Sequence, residues 1–218
     1  MKRLLPLLLL AAIALTSDAS DYEAAVNDLV PKLANPDVSK RHDAQMELQN
    51  LAATSSRPGN ETERAALGTI LAAKAADSTV PQPARVWMVR QLEYMGRVEA
   101  VEALTKLLND DDAALRECAR RALEKNPAPG AIASLRAALE KGGDEARKIG
   151  LIRALGERRD ASAVPLIAQE LNDTKTGWAA AMALGQIATD KSVAALWSAL
   201  AHNPFADTAL INAANQQL

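Results

Sequence analysis

RALGERRDASAVPLIAQEL at 153–171 and MALGQIATDKSVAALWSAL at 182–200 decide the fold. Each runs from Ala-Leu-Gly through a polar stretch into apolar residues that recur at helical spacing, Val164/Ile167/Leu171 and Val193/Leu196/Leu200. Steps of three and four put those side chains on one stripe of an α-helix. Working outward, the same pattern returns as Val101/Leu104/Leu108 and Ile132/Leu135/Leu139, with starts 31, 32 and 29 residues apart. Nine residues before each start stands a leucine, Leu92, Leu123, Leu155 or Leu184, closing a second helical stretch (VWMVRQL, LRECARRAL, IGLIRAL, WAAAMAL). A constant offset through four copies marks an internal repeat.

Each repeat reads as two helices of about three turns, with polar turns NDDD (109–112), KGGD (141–144) and NDTKTG (172–177) ahead of the second helices. One helix pair cannot bury its apolar stripe, so copies must stack. Ala122, Ala154 and Ala183 share one repeat position, where a small side chain lets neighbouring helices approach. Asp112 and Asp144 stand just before their helices, placed to accept from the free N–H groups there. The N-terminal third follows the pattern loosely. Helices are expected over 25–37 and 38–52, a loop over 54–60, then helices over 62–76 and from Pro83 or Ala84 to Met95. NPFADTALINAANQQL (203–218) is expected to supply the second helix of a sixth, incomplete unit. The reading is all-α, with five or six helix pairs: a divergent part at 20–83 and a regular part at 84–218 in one continuous array.

The turn-Asp, helix, Ala-Leu-Gly and next-helix arrangement resembles HEAT repeats of the short, roughly thirty-residue type, often called phycobilisome-lyase-like. The match covers about 84–200 closely and 22–83 weakly. ARVWMVRQLEYMGRVEAVEAL (84–104) and CARRALEKNPAPGAIASLRAAL (118–139) further resemble exported HEAT-repeat proteins of environmental bacteria. The resemblance implies a right-handed α-solenoid whose concave face is built from second helices. At Glu124 the Ala-Leu-Gly reads Ala-Leu-Glu, which implies a different helix ending in that unit.

Composition agrees with helices. The 218 residues include 46 alanines and only 3% aromatics, which excludes the β-branched and aromatic strands of a sandwich or barrel. Gly and Pro at 10 each exclude a collagen-like or disordered chain. The N-terminus has a secretory layout: basic Lys2 and Arg3, an apolar run Leu4–Leu15, and small residues Ser17 and Ala19 before a cut ahead of Ser20. That run is shorter than the about 20 residues a membrane span needs. The expected product is a periplasmic or extracellular chain, residues 20–218, with no membrane span. Cleavage leaves 23 basic and 26 acidic residues, a formal −3, unlike a nucleic-acid binder with its basic excess. Cys118, the single cysteine, has no internal disulfide partner and reads as a small buried side chain.

Aligning second helices on their leucines exposes two basic columns. Arg90, Arg121 and Arg153 stand two residues before the leucine, and Arg85, Arg116 and Lys148 seven before it. The first column is the candidate partner-binding strip, suited to a protein or peptide with acidic surface. The second is expected to pair with acids of adjacent turns. Trp87 and Trp178 also fall on second helices and Trp197 on a first helix; Trp87 and Trp178 join the candidate contacts, although such residues commonly plug a core. Catalysis has little to stand on. His42 and His202 lie far apart, and no nucleophile elbow, phosphate loop or dinucleotide fingerprint occurs. The paired His-Glu iron ligands of deoxyhypusine hydroxylases are missing, and no metal or cofactor is expected. The function expected is a non-enzymatic, exported interaction scaffold. The alternatives are an accessory subunit or lyase- or chaperone-like helper of an enzyme, or the front end of a longer repeat protein.

Overall fold

The computed structural model describes residues 20–216, and among these every regular element is helical. The expected N-terminal export segment, 1–19, lies outside the described residues. Twelve α-helices follow in chain order: α1 (20–33), α2 (Val38–Ser55), α3 (Glu61–Ala76), α4 (Gln82–Met95), α5 (Val101–Leu107), α6 (Ala113–Lys125), α7 (Pro129–Lys141), α8 (Glu145–Glu157), α9 (Val164–Ala168), α10 (Gly177–Ile187), α11 (Asp190–Ala199) and α12 (Ala206–Gln216). Short 3₁₀ turns, Val98–Ala100 and Ala161–Ala163, lead into α5 and α9. The chain is therefore an α-solenoid of six helix pairs, and 206–216 completes the sixth. The chain divides into two compact units, with the boundary between Ala122 and Leu123 inside α6.

In the first unit the core runs from Leu29 and Leu33 through Leu48, Leu67, Leu71, Met88, Leu92 and Leu104 to Leu115, Ala119 and Ala122. Polar groups tie successive pairs together. Arg64 donates to Glu99 at 2.6 Å and to the Met95 carbonyl at 3.1 Å, while the Arg97 N–H also donates to Glu99. Arg85 donates to the Ala75 carbonyl at 2.8 Å and to Asp110 at 2.6 Å. Asp112 caps α6 by accepting from the Leu115 N–H at 2.9 Å, the role its position before the helix implied.

In the second unit the repeat leucines Leu155 and Leu184 are buried, as are Ala154 and Ala183 at the small-residue position. The Ala-Leu-Gly glycines explain how closely second helices approach. A methyl group on Gly156 of α8 would sit 2.9 Å from both Cα and Cβ of Ala183 in α10. One on Gly185 of α10 would sit 2.7 Å from the Ala209 carbonyl in α12. Asp144 caps α8 through the Arg147 N–H at 2.8 Å. The α6 ending does differ at Ala-Leu-Glu. Arg159 (φ 48°) and Ala188 (φ 54°) follow α8 and α10 in the left-handed region. No left-handed residue follows α6; instead the Arg158 guanidinium reaches the carbonyls of Glu124 and Asn126.

Some local expectations fail. Leu200, at the repeat position where Leu108, Leu139 and Leu171 are buried, is 37% exposed, because it ends the first helix of the sixth pair and among the described residues only α12 follows it. Trp197, on the same helix, is 63% exposed and plugs no gap, and Trp178 is exposed rather than buried. Residues 20–24 are already helical, ahead of the expected start at 25, and α2 continues to Ser55. The α2 extension is held by Ser56 N–H donating to the Ala52 carbonyl.

Candidate functional site

Three second helices of the first unit, α2, α4 and α6, line a groove of about 810 Å³, within the range of ligand sites. Each contributes residues at i, i+3, i+4 and i+7: Gln49/Ala52/Ala53/Ser56, Trp87/Arg90/Gln91/Tyr94 and Ala114/Glu117/Cys118/Arg121. That spacing is one helix face, and on α4 it is distinct from the core positions Ala84, Met88 and Leu92. The groove is thus a consequence of the repeat. Core stripes turn inward to stack, and the opposite stripes of consecutive second helices come to lie side by side.

The indole of Trp87 is anchored by its Nε1 donating to the Gln45 carbonyl of α2 at 3.2 Å. Over its ring lies the Arg90 guanidinium, 5.3 Å from the centroid, a cation–π distance. A guanidinium held over an aromatic ring can still use its N–H fork for other partners. Cys118 lies beside that fork, and among the described residues no carboxylate pairs with Arg90. Arg121, half exposed, donates from Nη2 to Glu93 at 2.9 Å, and the Glu93 side chain is only 4% exposed. A carboxylate that buried requires a partner, and the hydrogen bond from Glu93 raises the Arg121 guanidinium above its ordinary value. Glu117 pairs with Arg120 of its own helix at 2.6 Å.

Gln91 is 6% exposed, lines the groove, and its side-chain amide makes no hydrogen bond to the described residues. Neither polar atom of that amide is both buried and unsatisfied, so the amide opens onto the groove and its water, where a ligand can meet it. Cys118 departs from its expectation as a buried core residue: it is half-buried and faces the groove. Burial pushes its thiol up, only partly offset by the Arg90 and Arg121 guanidinia, so at neutral pH the thiol is protonated.

Of the residues singled out in the sequence, the groove brings Trp87, Arg90 and Arg121 together. Arg153 and Trp178 are exposed on α8 and α10 of the second unit and do not line it. The second basic column is engaged as expected. Arg85 pairs with Asp110, Arg116 donates to the carbonyls of Asp110 and Asp111, and Lys148 pairs with Glu170 at 2.8 Å. Among the described residues no group of three or more His, Cys, Asp or Glu side chains is placed to hold a metal ion, and no helix is long and apolar enough to cross a membrane. Sequence reading missed Gln91, Glu93 and Tyr94, although the spacing that links Trp87 and Arg90 also selects Gln91 and Tyr94.

HEAT repeats match this sequence over residues 71–151 and 141–215, about two thirds of the chain. The chain belongs to the HEAT-repeat family. No curated protein matches the sequence. Solved structures with a similar chain path include an engineered protein (23% identity, 87% of this chain and 96% of that one, TM-score 0.48). A designed armadillo repeat protein in complex with the peptide (KR)4 is similar over 86% of this chain and 97% of its own (17% identity, TM-score 0.49). Human deoxyhypusine hydroxylase in complex with glycerol is similar over 90% and 96% (17% identity, TM-score 0.33). At such identities and scores none of these carries functional weight.

Proposed function

We propose that this protein is a non-enzymatic, exported scaffold that binds a protein or peptide along its second helices. The observation that supports this best is the chemistry of the α2/α4/α6 groove. Its lining offers a cation held on an aromatic face, a second exposed arginine and an amide that opens onto the groove without a hydrogen bond to the described residues. These are recognition groups, and the Cys118 thiol faces arginines rather than a general base. Arg153 and Trp178, exposed on the second unit, are further candidate contacts within that unit. The repeat spacing of 31, 32 and 29 residues supports the short, phycobilisome-lyase-like type of HEAT repeat. Export rests on the basic, apolar and small-residue succession of residues 1–19.

A random peptide library displayed on phage and selected against residues 20–218 tests the binding reading. Enriched sequences whose binding is weakened by Arg90→Glu/Arg121→Glu, with helicity unchanged by circular dichroism, support it. A selection with no enrichment, or enrichment indifferent to the double variant and to Arg153→Glu, overturns binding at these residues. For export, the N-terminus of the protein recovered from the source cells is read by sequencing. Ser20 as first residue supports cleavage, and an intact Met1 rules it out.

A further inference from the structure

We infer that the first-unit groove takes an extended acidic peptide, with a carboxylate of the peptide on Arg90 and a main-chain amide on Gln91. The inference rests on the scaffold reading and adds the class of partner. The charge of the groove points there. Its two acids are already committed, Glu93 to Arg121 and Glu117 to Arg120. Arg90 is the lining cation with no carboxylate among the described residues, on a chain whose net charge is −2. The Trp87 ring holds the guanidinium at the groove wall, and the paired N–H groups of a guanidinium match a carboxylate.

The second, independent observation is Gln91. Its amide is next in sequence to Arg90, opens onto the same groove and makes no hydrogen bond to the described residues. A primary amide both donates and accepts, which suits a peptide main chain and leaves side-chain charge to be read by Arg90. Exposed Tyr94 lies one helical turn from both residues and gives the neighbouring peptide residue an aromatic surface. An isolated carboxylate would satisfy Arg90 alone; a peptide unit beside it satisfies Gln91 as well, and only a longer chain also reaches Tyr94 and the rest of the groove.

Cys118 is the single cysteine and stands on the groove wall beside Arg90, so its alkylation reports occupancy directly. The experiment measures the rate at which N-ethylmaleimide labels Cys118 in residues 20–218 at pH 8. Nonapeptides identical except for Glu, Gln or Lys at three alternate positions are added in turn, as is N-acetylglutamate amide. The Glu peptide is expected to slow labelling, with the Gln and Lys peptides and the free amino-acid derivative much weaker. Arg90→Glu is expected to weaken Glu-peptide protection by about tenfold to a hundredfold, the loss of a charge-assisted hydrogen bond. Gln91→Leu is expected to weaken Glu- and Gln-peptide binding by the same factor, because it removes the main-chain contact. Lys191→Glu, a charge change on an exposed residue of the second unit, serves as control and is expected to change nothing.

Equal protection by Glu, Gln and Lys peptides overturns the acidic preference while leaving the scaffold reading in place. Protection by N-acetylglutamate amide equal to that of the Glu peptide overturns the extended-peptide part. No protection by any of them overturns the proposal at this groove, and the scaffold reading then stands or falls on the library selection alone.

Discussion

Leucines that share a repeat position do not share an environment. Leu139 is buried beneath the following helices, whereas Leu200 is more than a third exposed. Truncating the first leaves a cavity and removes its burial, so Leu139→Ala is expected to cost about 2–5 kcal/mol. Leu200→Ala gives up little that water has not already reached and is expected to cost about 1 kcal/mol or less. Urea midpoints with unchanged slopes measure both, and equal losses would contradict the packing described. The same contrast explains what could be read from the sequence at the groove. Arg90 and Arg121 were legible because they repeat at one offset from a leucine. Gln91 was not, since it carries no charge and does not recur at that offset; its significance lies in an amide that opens onto the groove without a hydrogen bond to the described residues, a property of three dimensions. Cys118 misled for a related reason. Alanines and leucine around it read as core, while the repeat offset places it at the position of Trp87, on the groove wall.

At the scale of helices, the repeat made the elements legible and their ends less so. The apolar stripe and capping aspartates located α5 to α11. The endings depend on backbone turns such as Arg159 and Ala188, whose left-handed conformations no side-chain pattern announces. Ala188 carries that strain without glycine's freedom. Ala188→Gly is therefore expected to raise stability by about 0.5–1 kcal/mol, visible as a higher thermal midpoint. Gly156 is the opposite case. Alanine in a helix interior ordinarily gains up to about 1 kcal/mol over glycine. Here the added methyl would meet Ala183 backbone and side chain at 2.9 Å, and overpacking of that kind costs about 1–3 kcal/mol. Gly156→Ala is expected to lower the midpoint. Partial restoration by Ala183→Gly, which removes the Cβ contact but not the Cα one, would show that the contact between α8 and α10, and not a local backbone effect, is responsible.

For the molecule as a whole, each compact unit carries an aspartate whose ionised form the fold prefers. Burial pushes Asp110 up, but the Asp112 N–H, the Arg85 guanidinium and nearby Arg116 outweigh it and hold the carboxyl below its ordinary 3.8. Asp173 is held below the same value by the N–H groups of Thr176 and Lys175 and by the Thr176 hydroxyl. A carboxyl whose pKa is lower folded than unfolded binds fewer protons in the folded state. Its contribution is complete above the unfolded value and disappears as the pH falls through the folded one. Thermal midpoints followed by circular dichroism are accordingly expected to show no loss from these groups between pH 8 and 5, and to decline below about pH 4. Asp110→Asn tests the assignment, because it cannot ionise and leaves the buried Arg85 without its counter-charge. The variant is expected to start lower at pH 7 and to lose less on acidification, so that its midpoint approaches that of the unaltered protein near pH 3. Parallel curves with a constant separation would mean that Asp110 is not one of the groups through which acid unfolds the chain.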